Sequence, residues 1–159
     1  MLAAMTAPRC GASVYVSAKS AALVVAETGE IIFGKNENER RPMASTTKIM
    51  TSLIALETGT PELEIVTTEE MVTVEGTSMG LLPGDTVTLR TLVCGMLLSS
   101  GNDAANTVAI VLGGSVKGFA KMMNARAAEI GMNNTNFVTP SGLDDENHHS
   151  TAYDMALLG

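Results

Sequence analysis

Pro42-Met43-Ala44-Ser45-Thr46-Thr47-Lys48-Ile49-Met50-Thr51-Ser52-Leu53-Ile54-Ala55-Leu56 is the stretch on which the reading of this chain turns. A proline leads into an apolar run long enough for a helix, and Thr58-Gly59 supplies the stop signal. Ser45 and Lys48 stand three residues apart at the head of that run. Positions i and i+3 share a helix face, so the spacing predicts that the Lys48 amine lies beside the Ser45 hydroxyl. A serine is a weak nucleophile at neutral pH and needs a neighbouring base to take its proton. The pair is a candidate acylating centre that requires no histidine. Taken alone, the pattern is common, and a solvated lysine near a helix N-terminus is the ordinary reading.

A second element changes that. Ser100-Gly101-Asn102 interrupts two apolar helical segments, 88–98 and 103–112, and displays a hydroxyl and a carboxamide on a short loop. Glycine and asparagine also favour plain inter-helix turns, but the two motifs together, in this order, argue for a shared site. Upstream, residues 21–26 and 31–34 are apolar runs around Glu27-Thr28-Gly29-Glu30, which predicts a β-hairpin. Both runs are almost continuously hydrophobic, so the hairpin is expected to be covered on both faces. Residues 61–76 predict one short extended piece with turns. Residues 116–130 predict an amphipathic helix closed by Gly131, 133–150 a loop, and 151–158 a last helix with Ser150 as N-cap. A hairpin followed by a series of helices is an α+β arrangement. Two strands alone make a poor sheet, so further strands are expected to pair with the hairpin.

The chain has 159 residues, 45% of them hydrophobic and only 3% aromatic, with 11 Met and no Trp. Its mean hydropathy is +0.22, which excludes an intrinsically disordered chain. A net charge of −7 with scattered basic residues excludes nucleic acid as a partner. Cys10 and Cys94 are too few for a disulfide framework and lack metal-ligand spacing; Cys94 is expected to be a buried thiol. No run reaches the roughly 18 apolar residues of a membrane span. The first twelve residues have neither the basic head nor the apolar core of a signal peptide. Asp144-Asp145-Glu146-Asn147-His148-His149 is read as a solvated loop, and no metal or cofactor is expected.

Met43 to Thr51, then Leu97-Leu98-Ser99-Ser100-Gly101-Asn102-Asp103-Ala104-Ala105, then Phe137 to Asp144 and Ser150 to Ala156 resemble the low-molecular-mass penicillin-binding proteins. More narrowly, they resemble the serine-type D-alanyl-D-alanine carboxypeptidases. The resemblance runs from about Ala21 to the end. It implies a β-lactamase/transpeptidase-like fold, with residues 1–20 as an N-terminal segment and 21–159 as its catalytic domain. It implies removal of the terminal D-alanine from peptidoglycan stem peptides in the cell envelope, and acylation by β-lactams. Ser45 is the implied nucleophile and Lys48 its base. Ser100 relays protons, Asn102 holds the substrate amide, and the Ser45 N–H forms half of an oxyanion hole.

One family motif has no counterpart. K-T-G, or a close variant, lies downstream on a strand lining the cleft, and this sequence contains none. The expectation is therefore an incomplete catalytic domain, with the N-terminal hairpin and helical region but without the later strands and the closing helix. Such a chain acylates poorly by itself, and its uncovered sheet edge offers a route to self-association. A serine β-lactamase shares Ser45 and Lys48 but needs a deacylating base, and Glu129 does not have the spacing for one. A truncated, non-catalytic interaction domain is the remaining alternative.

Overall fold

The computed structural model describes residues 14–58 and 60–159. Cys10, the first twelve residues and the stop at Gly59 lie outside them. The element order is β1 (Ala21–Val24), β2 (Ile31–Lys35), a 3-10 turn (Ala44–Thr46), α1 (Thr47–Glu57), β3 (Glu64–Val66), α2 (Glu69–Val72), β4 (Thr86–Thr88), α3 (Leu89–Ser99), α4 (Asn102–Gly113), α5 (Val116–Ile130) and α6 (Ala152–Leu158). The expected α+β arrangement is present, with α1 to α5 gathered apart from the hairpin.

α4 runs through the middle of the helical layer, packed against α1, α2, α3 and α5. Its sequence explains this position. Ala104, Ala105, Val108 and Ala109 are fully buried, and these small side chains let four neighbours approach closely. Met50 and Ile54 of α1, Leu89, Leu92 and Met96 of α3, and Phe119, Met123 and Ala127 of α5 complete the core. Methionine fills the irregular spaces that aromatic residues would occupy in a richer composition. The helix ends follow local chemistry. The Thr88 hydroxyl accepts the Thr91 N–H at 3.2 Å, and the Ser115 hydroxyl accepts the Gly118 N–H at 3.0 Å. α5 stops at Gly131, whose φ of +92° suits only glycine well.

Three expectations need correction. The hairpin β1–β2 forms antiparallel with a bulge after Leu23, but it is not covered on both faces. α6 lies against β1, while Leu23 and Ile32 remain 54% and 63% exposed. Among the described residues no third strand joins it; β3 and β4 pair with each other instead, Ile65 opposite Val87. β4 was hidden because Thr86-Val87-Thr88 is short and runs directly into α3. Cys94 is exposed, because the inward face of α3 is set by Leu89, Leu92, Val93 and Met96 and leaves position 94 outside. The N-cap of α6 is Thr151, which accepts the Asp154 N–H at 3.0 Å. Ser150 is occupied in a backbone bridge with Arg41.

Candidate active site

The 3-10 turn delivers Ser45 to the surface and Lys48 to the interior. Ala44, just before Ser45, has φ +45°, a left-handed backbone that non-glycine residues rarely adopt. Gly142 presses on this turn: a Cβ there would run into the Ala44 carbonyl. Ser45 stays exposed, while Thr47 and Lys48 are buried. Lys48 is only 2% exposed, an uncommon position for a lysine.

The Lys48 amine has three acceptors. Nζ lies 3.2 Å from Ser45 Oγ, 3.3 Å from Ser100 Oγ and 2.8 Å from the Ser141 carbonyl. Ser100 Oγ is in turn 2.8 Å from Ser45 Oγ. An amine and two hydroxyls thus form a closed triangle. No ion pair among the described residues involves Lys48; those present join Arg41 to Glu39, Arg90 to Glu62, and Arg126 to Glu57 and Glu129. Burial therefore acts on the amine without a compensating carboxylate and pushes it below its ordinary value of 10.5. The triangle opens on a depression of about 300 Å³ bordered by Ser45, Lys48, Ile49, Met96, Leu97 and Ser100.

Ser100 owes its position to a strained backbone. It closes α3 at φ +56°, a second non-glycine residue in the left-handed region. Its carbonyl accepts from Thr77 Oγ1 at 2.6 Å. Asn102 is set apart from the triangle. It is buried, its Nδ2 donates to the Glu75 carbonyl at 2.7 Å, and it does not border the depression.

Asp103 next to it explains how the segment over α4 stays in place. Its buried carboxylate accepts from Ser78 Oγ at 2.6 Å and from the N–H groups of Met79, Gly80, Leu81 and Ala104 at 2.9, 3.1, 3.0 and 2.9 Å. Burial raises the carboxyl pKa. The bonds from Ser78, Met79, Leu81 and Ala104 outweigh it and hold the carboxyl below its ordinary 3.8.

Sequence reasoning missed Asp103, Ser141 and His148. Asp103 carried a signal, a carboxylate inside an otherwise apolar helical segment. Ser141 contributes a backbone carbonyl, which no side-chain pattern marks. His148 corrects the reading of residues 144–149 as a solvated loop: Asp144 to Asn147 are exposed, but His148 is buried. Glu129 sits on the outside of α5, paired with Arg126 at 3.0 Å, away from the triangle.

This fold, with a Ser-x-x-Lys pair facing a Ser-x-Asn loop, is that of the penicillin-binding, transpeptidase-like class of proteins. The chain belongs to the D-alanyl-D-alanine carboxypeptidase family, whose model matches residues 5–159. It is 41% identical over 146 residues to D-alanyl-D-alanine carboxypeptidase DacF of Bacillus subtilis, covering 89% of this chain and 38% of that protein. The crystal structure of the carboxypeptidase DacD from Francisella tularensis superposes with a TM-score of 0.86 at 39% identity, covering 92% of this chain and 37% of the other. Penicillin binding protein 5 from Haemophilus influenzae gives 0.86 at 33% identity, covering 93% and 45%. The chain thus spans less than half the length of these relatives.

Proposed function

We propose that this chain carries the acylating half of a serine D-Ala-D-Ala carboxypeptidase site. The observation that carries the reading is a buried lysine, without a carboxylate partner, within 3.2 Å of an exposed serine hydroxyl and 3.3 Å of a second one. The neutral Lys48 amine takes the Ser45 proton as Oγ attacks the carbonyl of the terminal D-Ala–D-Ala bond. The C–N bond breaks, D-alanine leaves with a proton relayed through Ser100, and the acyl group remains as an ester on Ser45 until water hydrolyses it. β-Lactams enter the same step and leave a longer-lived ester, in keeping with the penicillin-binding relative. Asn102 serves this chemistry by anchoring the 75–77 segment beside Ser100, and contact with substrate requires its carboxamide to turn outward. The action is placed in the cell envelope, where the stem peptides are. Residues 21–159 are read as an incomplete catalytic domain.

Labelled penicillin tests this. In a chain joined to the downstream portion of a relative, which supplies K-T-G, intact-mass analysis should show one adduct, lost in Ser45→Ala. The labelling rate should rise with pH to a plateau whose midpoint lies below 10.5, because only neutral Lys48 is a base. The 159-residue chain alone should label far more slowly. No adduct on the joined, folded chain would sink the reading.

A further inference from the structure

His148 is 4% exposed, in a segment where residues 143–147 are all exposed. Both ring nitrogens are engaged. Nδ1 faces two backbone N–H groups, of Val138 at 2.9 Å and of Thr139 at 3.3 Å. Nε2 lies 2.8 Å from Thr47 Oγ1. Amide N–H groups only donate, so Nδ1 must offer a lone pair. The single N–H of the neutral ring is then on Nε2 and donates to Thr47. Phe137 packs edge-on against the ring, with centroids 5.9 Å apart.

These bonds join two parts of the site. Thr47 is the first residue of α1 and directly precedes Lys48. The segment held at Val138 and Thr139 continues to Pro140, whose carbonyl accepts from Thr51 Oγ1 at 2.7 Å, and to Ser141, whose carbonyl accepts from Lys48 Nζ. We propose that neutral His148 is a positioning residue for Ser45 and Lys48, clasping the segment that carries the Ser141 carbonyl to the head of α1. The inference rests on the acyl-transfer reading above for its purpose, and on these contacts for its existence.

Protonation would set an N–H on Nδ1 against two other N–H groups and place a charge in a buried site. Burial holds the ring below its ordinary 6.5; Asp145 opposes this, His149 adds to it, and Asp144 opposes it. Glu146, Arg40 and Arg41 border the same cleft, and Lys48 follows Thr47 on α1. A base with a lowered folded pKa is protonated first in the unfolded chain. The clasp is therefore fully stable above about 6.5 and weakens as pH falls below that value.

Nuclear magnetic resonance on the 159-residue chain tests the clasp. The ring nitrogens of His148 should report a neutral Nε2–H tautomer that persists below pH 6.5. The Lys48 Cε signal should titrate below 10.5. Thr47→Val removes the acceptor on α1, and His148→Gln keeps a donor but loses Nδ1. Both should move the Lys48 titration up towards 10.5 as water reaches the amine, and Thr47→Ser should restore it. In the joined chain the same two variants should slow Ser45 labelling by about tenfold or more. An Nδ1–H tautomer in the wild type, or a Lys48 titration unmoved in both variants although Tm falls, overturns the proposal. Absence of labelling with the resonance results intact counts against the acyl-transfer reading alone.

Discussion

Ser100 holds its hydroxyl in the triangle only by adopting φ +56°. For a side chain with a Cβ this backbone costs about 1–2 kcal/mol, and glycine adopts it freely. Ser100→Ala and Ser100→Gly should therefore both lose penicillin labelling in the joined chain. They should differ in stability, with the glycine variant more stable than the alanine variant by about 1 kcal/mol in chemical denaturation. Equal stabilities would mean that the strain is relieved elsewhere. Asp103 has the opposite character, with every bond satisfied. Asparagine at that position offers one acceptor oxygen and turns an NH₂ group towards backbone donors. Asp103→Asn should cost about 3 kcal/mol at pH 7, since it leaves buried N–H groups unpaired. Because the folded carboxyl is held below 3.8, its contribution is present above that value and lost as pH falls through the folded pKa. The gap between wild type and variant, followed by denaturation, should close on acidification; a gap constant down to pH 2 would refute the assignment.

The helices show where a sequence speaks and where it is silent. α1, α3, α4 and α5 were readable because each carries a run of apolar residues long enough for a helix and buried in the core, and Ser45 beside Lys48 followed from helical spacing alone. The detail did not follow: Ser45 sits in a 3-10 turn ahead of α1, not in the helix itself. β4 and the short α2 were unreadable because elements of three or four residues carry too little period to register. Ser141 and the bonds of His148 were unreadable because they belong to a loop whose conformation is fixed by distant partners. α1 also contains an unexplained group: the Ser52 hydroxyl, buried and without a hydrogen-bond partner. Ser52→Ala should leave the helix equally stable or raise stability by about 1 kcal/mol, since it removes an unpaired buried polar atom. A clear loss in Tm would show that the hydroxyl has a partner after all.

In the molecule as a whole, the hairpin stands out. Leu23 and Ile32 are more than half exposed on a two-stranded sheet, and such an edge is a template for further pairing. The expectation of a covered hairpin failed because local hydrophobicity does not show whether a strand finds a partner; among the described residues α6 packs against β1 and no third strand joins it. The 159-residue chain should form concentration-dependent dimers by size-exclusion with light scattering, and Leu23→Lys should reduce them; a monomer at every concentration would remove self-association from consideration. The three acceptors of Lys48 lie 3, 52 and 93 residues away along the chain. The last two are non-local, and each needs a long loop closed before it can form. Until the last of them closes, the amine stays wetted and its burial is incomplete. On the acyl-transfer proposal, partly unfolded chains should therefore fail to label at Ser45 even when α1 has formed.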